Sequence, residues 1–104
     1  MNKHEYPNLG ETLYEEVLPN GLSVLVAVKP GFRKNAAFFA TRYGGADRRF
    51  KVNGEWIDTP AGVAHFLEHK MFDMPDGRNV LSDFAALGAS PNAFTGTGHT
   101  AYYF

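Results

Sequence analysis

The amino-acid sequence predicts an α+β fold in which helices pack on one face of a mostly antiparallel sheet. The main observation is the order of segments: three β-rich segments, then two helical segments, then a last β-rich segment. The second observation is the pair Asn20-Gly21, which is typical of a hairpin between antiparallel strands. The third is composition, because 44% hydrophobic and 14% aromatic residues are enough for a packed core.

The first half of the chain is predicted to be mostly β-structure. Strands are expected over residues 12–18 and 22–28, and a third over residues 35–43, which a Gly-Gly pair ends. Residues 1–11 are polar, and we expect a flexible lead-in there. Residues 46–58 are charged and irregular, so they are predicted to form a surface loop.

Two helices are predicted in the second half of the chain. Thr59 and Pro60 suit the N-cap and the first position of a helix that runs to about Phe72. A second helix is predicted over residues 78–88, where apolar residues recur at helical spacing and the last glycine suits the C-terminal cap. Residues 89–104 are predicted to form one or two strands, interrupted near their glycines.

Composition excludes several classes of function. A length of 104 residues fits one domain. A net charge of −1 gives no attraction to nucleic acid or to an anionic membrane, so neither is predicted as a partner. The chain has no cysteine, which excludes disulfides, thiolate ligands and a cysteine nucleophile. It shows no signal-peptide pattern and no apolar segment of about 20 residues, and we expect a soluble, cytoplasmic protein.

The first predicted helix carries three ionisable residues, His65, Glu68 and His69, in an otherwise apolar stretch. A helix turns by about 100° per residue, so the three side chains share one arc of roughly 100°. The two imidazoles lie one turn apart and can converge on one cation, with the carboxylate beside them. Neutral imidazoles are common zinc ligands, and a carboxylate near such a site can act as a general base. The same spacing also occurs by chance on helix surfaces.

The H-x-x-E-H spacing is the signature of the inverzincin metallopeptidases. Its surroundings resemble the pitrilysin/insulinase family of zinc metallopeptidases, which includes the mitochondrial processing peptidase. The resemblance rests on three segments that follow one another: PNGLSVLV, AGVAHFLEHKMF and ALGASPNAFTGTGHTAYYF. It extends from about Val17 to Phe104, and the helix segment looks like that of bacterial members of unassigned substrate. The fold that it implies is part of a metallopeptidase domain of the mitochondrial-processing-peptidase type.

The resemblance implies a zinc-dependent endopeptidase that hydrolyses peptide bonds with activated water. The two histidines would bind zinc, and Glu68 would be the general base. A peptide substrate would add as a strand to a sheet edge, in contact with Asn92, Ala93 and Phe94. Phe94 is equally compatible with a place in the core.

The resemblance also implies that the zinc site is incomplete in this chain. The third ligand of the family is a glutamate far downstream of the motif, beyond Phe104. We therefore expect residues 1–104 to be a single incomplete domain, the N-terminal part of a longer peptidase, inactive by itself. No spacing favours any of the other possible ligands, namely His4, Glu55, Asp73, Asp76 and His99. Truncated edges and core faces predict self-association.

Two alternatives to the endopeptidase are open from the sequence. The family includes members that keep the fold and serve as non-catalytic peptide-binding or scaffolding subunits. Peptide binding without cleavage would distinguish such a subunit from an enzyme. Metal-dependent lyases that cleave S-ribosylhomocysteine also carry H-x-x-E-H, but they complete their site with a cysteine, which this chain lacks.

Overall fold

The computed structural model describes all residues from Met1 to Phe104. It contains eight strands and two helices, and every pair of neighbouring strands is antiparallel. The predicted α+β class is confirmed. Backbone proximity divides the chain into two compact units, Met1–Asn35 and Ala36–Phe104, where the sequence predicted one domain. The number of independently folding domains stays a prediction.

The first unit is one antiparallel sheet. Its strands are β1 (Asn2–Tyr6), β2 (Glu11–Val17) and β3 (Ser23–Val28), in that order. The chain turns between β2 and β3 at the predicted Asn-Gly pair. Gly21 has a φ of 85°, and the N–H of Leu22 donates to the side chain of Asn20 at 3.1 Å. The hairpin predicted from this pair is confirmed.

The start of the chain differs from the sequence prediction. We expected a flexible lead-in over residues 1–11 and predicted no strand there, but β1 lies within them and pairs with β2 along its whole length. All five residues of β1 are exposed, so no apolar periodicity marks the strand. Its backbone hydrogen bonds to β2 define it instead. The flexibility of this segment in solution stays a prediction.

The second unit is built on a three-stranded sheet. Its strands are β4 (Phe38–Thr41), β7 (Asn92–Thr95) and β8 (Thr100–Tyr103), in the order β4-β8-β7. β7 and β8 are the two strands predicted in the last segment of the chain. Because β8 lies in the middle, β7 and β4 are the two edges of this sheet.

Both helices contact the same face of that sheet. Tyr102 and Phe104 are two residues apart, so their side chains lie on one side. Phe72, which follows helix α1 (Val63–Lys70), contacts Tyr102 with ring centroids 5.7 Å apart. Phe84 of helix α2 (Val80–Ala86) contacts Phe104 at 5.3 Å. The predicted layer of helices on one face is confirmed. Neither helix has the length and apolar character needed to cross a membrane.

The prediction of a surface loop over residues 46–58 is wrong. The segment contains a hairpin of strands β5 (Arg49–Val52) and β6 (Glu55–Asp58). Asn53 and Gly54 form its turn with φ angles of 52° and 87°, as a tight hairpin turn requires. The Asn-Gly signal was present in the sequence, but the many charged residues around it obscured the strands.

The first helix is shorter than predicted, and its cap is different. Thr59 is not the N-cap, because the cap position falls three residues later and the Thr59 hydroxyl donates to the carbonyl of Arg48 at 3.2 Å. The helix starts after Gly62, whose φ of 89° turns the chain into α1 without a side-chain cap. α2 lies within the predicted range 78–88, and the side chain of Asn79 caps it.

Candidate active site

The two histidines of α1 converge on one point in space. His65 and His69 lie one turn apart, as their spacing predicts. Their Nε2 atoms are 3.1 Å apart, and both residues are exposed. Two Zn–N bonds of about 2.0–2.1 Å at a tetrahedral angle place the nitrogens about 3.3 Å apart. The pair therefore fits two neighbouring ligand positions of one zinc ion.

The chain brings no third ligand to this pair. No group of three or more His, Cys, Asp or Glu side chains lies close enough to hold one metal ion. Other candidate ligands have partners elsewhere: His4 bonds Glu15, His99 packs edge-on against Phe94, Asp73 accepts from Lys70, and Asp76 accepts from Arg78. Two imidazoles leave half of a tetrahedral zinc site without protein ligands.

Glu68 is the buried member of the H-x-x-E-H motif, with 8% of its surface exposed. Its Oε2 accepts a hydrogen bond from Thr95 Oγ1 at 2.5 Å, a length typical of a hydroxyl bound to a carboxylate. This bond joins α1 to β7 and offsets the cost of removing the carboxylate from water. The carboxylate is thus held on the sheet side of the histidine pair.

Tyr102 of β8 lies within electrostatic reach of this carboxylate. Burial raises the pKa of the Tyr102 phenol above its usual value, and the negative charge of Glu68 raises it further. Tyr102 also shares a face of the sheet with Thr95, since the partner of Thr95 is Thr100. The phenol therefore stays neutral at neutral pH on the face that carries the Glu68–Thr95 bond.

One edge of β7 is open to pairing with another strand. β7 pairs with β8 on one side only. The N–H of Gly96 donates to the carbonyl of His99. Because alternate residues of an antiparallel strand face the partner, Phe94 also bonds toward β8, whereas Ala93 and Thr95 direct their backbone groups to the open edge. The predicted sheet edge is present, and α1 contacts the strand that forms it.

The three residues predicted to bind substrate have different surroundings. Ala93 has its backbone groups at the open edge, where its N–H donates to the Asn92 side chain at 2.8 Å. Phe94 lies on the face opposite to the helices, in contact with the ring of Tyr103. The open edge therefore carries the backbone groups of Ala93 and the side chain of Asn92, whose own backbone groups face β8. Substrate contact by Asn92, Ala93 and Phe94 stays a prediction.

Two residues that shape this site were not identified from the sequence. Thr95 belongs to the NAFT segment, but no pattern places its hydroxyl beside Glu68, which is 27 positions away. The other is Gly44, where an added Cβ would lie 2.5 Å from the backbone nitrogen of His99 and 2.6 Å from the carbonyl oxygen of Gly96. The Gly-Gly pair was the available signal, because glycine permits close approach of two backbones.

Comparison with known proteins identifies the family in which this helix and strand occur together. Residues 54–104 match the family model described as Insulinase (Peptidase family M16). They include α1 with its three motif residues and the whole of β7 and β8. The chain belongs to the insulinase family, peptidase family M16.

Two named relatives match the chain to different extents. A Bacillus subtilis protein named Uncharacterized zinc protease YmfH is 52% identical over 102 residues, which are 96% of this chain and 24% of that protein. The mitochondrial-processing peptidase subunit beta of Dictyostelium discoideum is 37% identical over 62 residues, which are 48% of this chain and 13% of that protein.

A solved structure from the same family confirms the fold. The crystal structure of an M16-like peptidase from Alicyclobacillus acidocaldarius matches with a TM-score of 0.84 and 45% identity. The match covers 96% of this chain and 23% of that chain. The chain thus spans about a quarter of the length of this peptidase and of YmfH.

Proposed function

We propose that this chain carries the metal-binding helix and the substrate-binding strand of a zinc-dependent endopeptidase. The observation that carries the proposal is the convergence of His65 and His69 on one point, at the 3.1 Å separation that zinc ligands adopt. The names of M16 relatives as zinc proteases support it. So does the open edge of β7 beside the same helix.

In the proposed mechanism, His65 and His69 would hold zinc through their Nε2 atoms. When bound there, zinc would supply a Lewis acid that polarises the peptide carbonyl and lowers the pKa of water. Glu68 acts as the general base: its carboxylate accepts a proton from the attacking water and later delivers it to the leaving amine. The Thr95 hydroxyl occupies one lone pair of Oε2 and limits the directions in which the carboxylate can turn.

The substrate is proposed to be an extended peptide that adds to β7. The N–H and C=O groups of Ala93 and Thr95 at the open edge would bond its backbone, with Asn92 and Phe94 as the flanking contacts. The N–H of Ala93 would exchange the Asn92 side chain for a peptide carbonyl. Because backbone groups do most of the binding, the site would accept peptides of varied sequence.

A complete catalytic site needs one more protein ligand than this chain provides. Catalytic zinc is usually held by three protein ligands, and the chain brings two together. We infer that the third ligand comes from outside these 104 residues. The chain by itself would then bind peptides without cleaving them. This is the behaviour expected of a non-catalytic subunit, the second candidate function.

A hybrid protein tests the proposal. In it, these 104 residues replace the matching segment of the Bacillus subtilis relative YmfH, once that relative has been shown to cleave a fluorogenic peptide. We expect the hybrid to hydrolyse the peptide, and Glu68→Gln to abolish hydrolysis while zinc content stays the same. Glu55→Gln, on exposed β6, is the matched control and should leave the rate unchanged.

Two outcomes would contradict the assignment. Hydrolysis that survives Glu68→Gln would remove Glu68 from the role of base. Zinc content that survives both His65→Ala and His69→Ala would move the metal site elsewhere. Peptide binding by a hybrid that never cleaves would favour the non-catalytic subunit.

A further inference from the structure

Thr95 is the residue at which the proposed general base meets the strand proposed to bind the peptide. Its backbone N–H and C=O point to the open edge of β7, in the plane of the sheet. Its side chain leaves that plane toward the helices, where the hydroxyl donates to Glu68 Oε2 at 2.5 Å. We propose that Thr95 is a positioning residue, which fixes the Glu68 carboxylate relative to the main chain of a peptide paired with β7.

The connection that Thr95 makes between strand and carboxylate is short and stiff. Its Cβ and Oγ1 atoms alone join the backbone of β7 to the carboxylate oxygen. Because a β-branched side chain has a restricted χ1 angle, the hydroxyl follows the strand. Glu68 is attached to its own helix through several rotatable bonds, so α1 by itself would allow its carboxylate several rotamers. The hydroxyl therefore ties the position of the carboxylate to β7.

The backbone just after Thr95 is held on both sides. The N–H of Gly96 donates to the carbonyl of His99 at 2.8 Å, and the carbonyl of Gly96 accepts from the N–H of Gly45 at 2.9 Å. These bonds fix the end of β7 within its sheet. Thr95 therefore presents its hydroxyl from a fixed point of the strand.

Thr100 shows that the bond to Glu68 is particular to Thr95. The two threonines are opposite each other in register, so their side chains lie next to each other on the helix face. The buried hydroxyl of Thr100 donates to the carbonyl of Tyr43 at 2.8 Å, away from the carboxylate. Both Glu68 and Thr95 lie within residues 54–104, the segment that the M16 family model matches.

The inference rests on the proposed function in two respects: Glu68 as the general base and the addition of a peptide to β7. While Oε2 keeps its bond to Thr95, Oε1 is free to accept the proton of the attacking water. Loss of the hydroxyl would leave the backbone groups that bind the peptide unchanged, but it would free the carboxylate to turn. The defect should therefore appear in kcat, with little change in KM.

Steady-state kinetics of the hybrid protein test the inference, with circular dichroism confirming that each variant is folded. Thr95→Val replaces the hydroxyl with a methyl group of similar size. We expect it to lower kcat about 10- to 100-fold and to change KM by less than about twofold. Thr95→Ser keeps a hydroxyl and should recover most of kcat. Thr100→Val removes the neighbouring buried hydroxyl as the matched control, and it should keep the kcat of the unchanged hybrid.

Nuclear magnetic resonance on this chain tests the same connection without catalysis. The fluorogenic peptide used for the hybrid is titrated into the isotopically labelled chain. It should shift the backbone amide signals of Ala93 and Thr95 and, through the Thr95 hydroxyl, the carboxyl carbon signal of Glu68. In Thr95→Val the amide signals should still shift, whereas the signal of Glu68 should no longer respond.

Several outcomes would overturn the inference. They are a Thr95→Val hybrid that keeps its kcat, a loss confined to KM, and an equal loss of kcat in Thr100→Val. A Glu68 signal that ignores the peptide in the unchanged chain, or that responds equally in Thr95→Val, would do the same.

Failure of this inference is distinguishable from failure of the proposed endopeptidase. Hydrolysis that survives Glu68→Gln would remove the general base, and the role of Thr95 with it. If Glu68→Gln abolishes hydrolysis while Thr95→Val leaves kcat unchanged, the endopeptidase stands and only the positioning role of Thr95 fails.

Discussion

Replacing Gly44 with alanine tests the contact between the segment after β4 and the turn before β8. The added Cβ would lie 2.5 Å from His99 N, 2.6 Å from Gly96 O and 2.7 Å from Thr97 C. All three are backbone atoms, so no side-chain rotation can relieve the overlap. The two segments must move apart, and the site's sheet moves with them.

The cost follows from what that movement breaks. Overpacking of this kind costs about 1–3 kcal/mol. Separation also strains two backbone hydrogen bonds, from Gly45 N–H to Gly96 O and from Ala46 N–H to Thr97 O, both 2.9 Å. Each is worth about 0.5–1.5 kcal/mol. We therefore expect Gly44→Ala to lower the free energy of unfolding by about 2–6 kcal/mol, a large part of the roughly 5–15 kcal/mol typical of a domain.

Urea denaturation followed by circular dichroism measures this change. Gly45→Ala is the matched control, because its Cβ would meet only Gly96 O, at an ordinary 3.7 Å. We expect that variant to unfold within about 0.5 kcal/mol of the unchanged chain. The reasoning is refuted if Gly44→Ala and Gly45→Ala lose the same free energy of unfolding.

Three further predictions concern the helix–sheet junction and the β5–β6 hairpin. Thr95→Val should lower the free energy of unfolding by about 1.5–3 kcal/mol in urea denaturation, because it leaves the buried carboxylate of Glu68 without its hydrogen-bond donor. Thr95→Ser keeps a hydroxyl and should restore most of that loss. Glu68→Gln should lower the pKa of Tyr102 in an ultraviolet titration, though burial should keep it above the value of a free tyrosine. Since that pKa is raised by folding, its stabilising contribution is complete below about pH 10 and is lost as pH rises through the folded-state pKa. Gly54→Ala should lower the free energy of unfolding by about 1–2 kcal/mol, because the φ of Gly54 is 87°. Gly98→Ala is the control and should leave stability unchanged, because its added Cβ meets no atom within 4 Å. Equal urea midpoints for the two variants would contradict this prediction.

Sequence patterns succeeded where the relevant geometry spans only a few residues. The convergence of His65 and His69 follows from helical periodicity, since residues four apart must lie one turn apart. The β2–β3 hairpin follows from the conformations that Asn20-Gly21 allows. The errors were also local: charged residues around Asn53-Gly54 concealed a hairpin, and the first helix begins at Gly62 rather than at the favourable cap Thr59.

The sequence by itself determined the helix, its three motif residues and the antiparallel α+β class, because these depend on spacing and turn chemistry within short segments. Only the tertiary structure decided that β7 has an open edge, that Thr95 holds the carboxylate of Glu68, and that Gly44 packs against a distant turn. Such contacts join residues far apart in the chain. They depend on the order and register of whole strands, which no local pattern encodes.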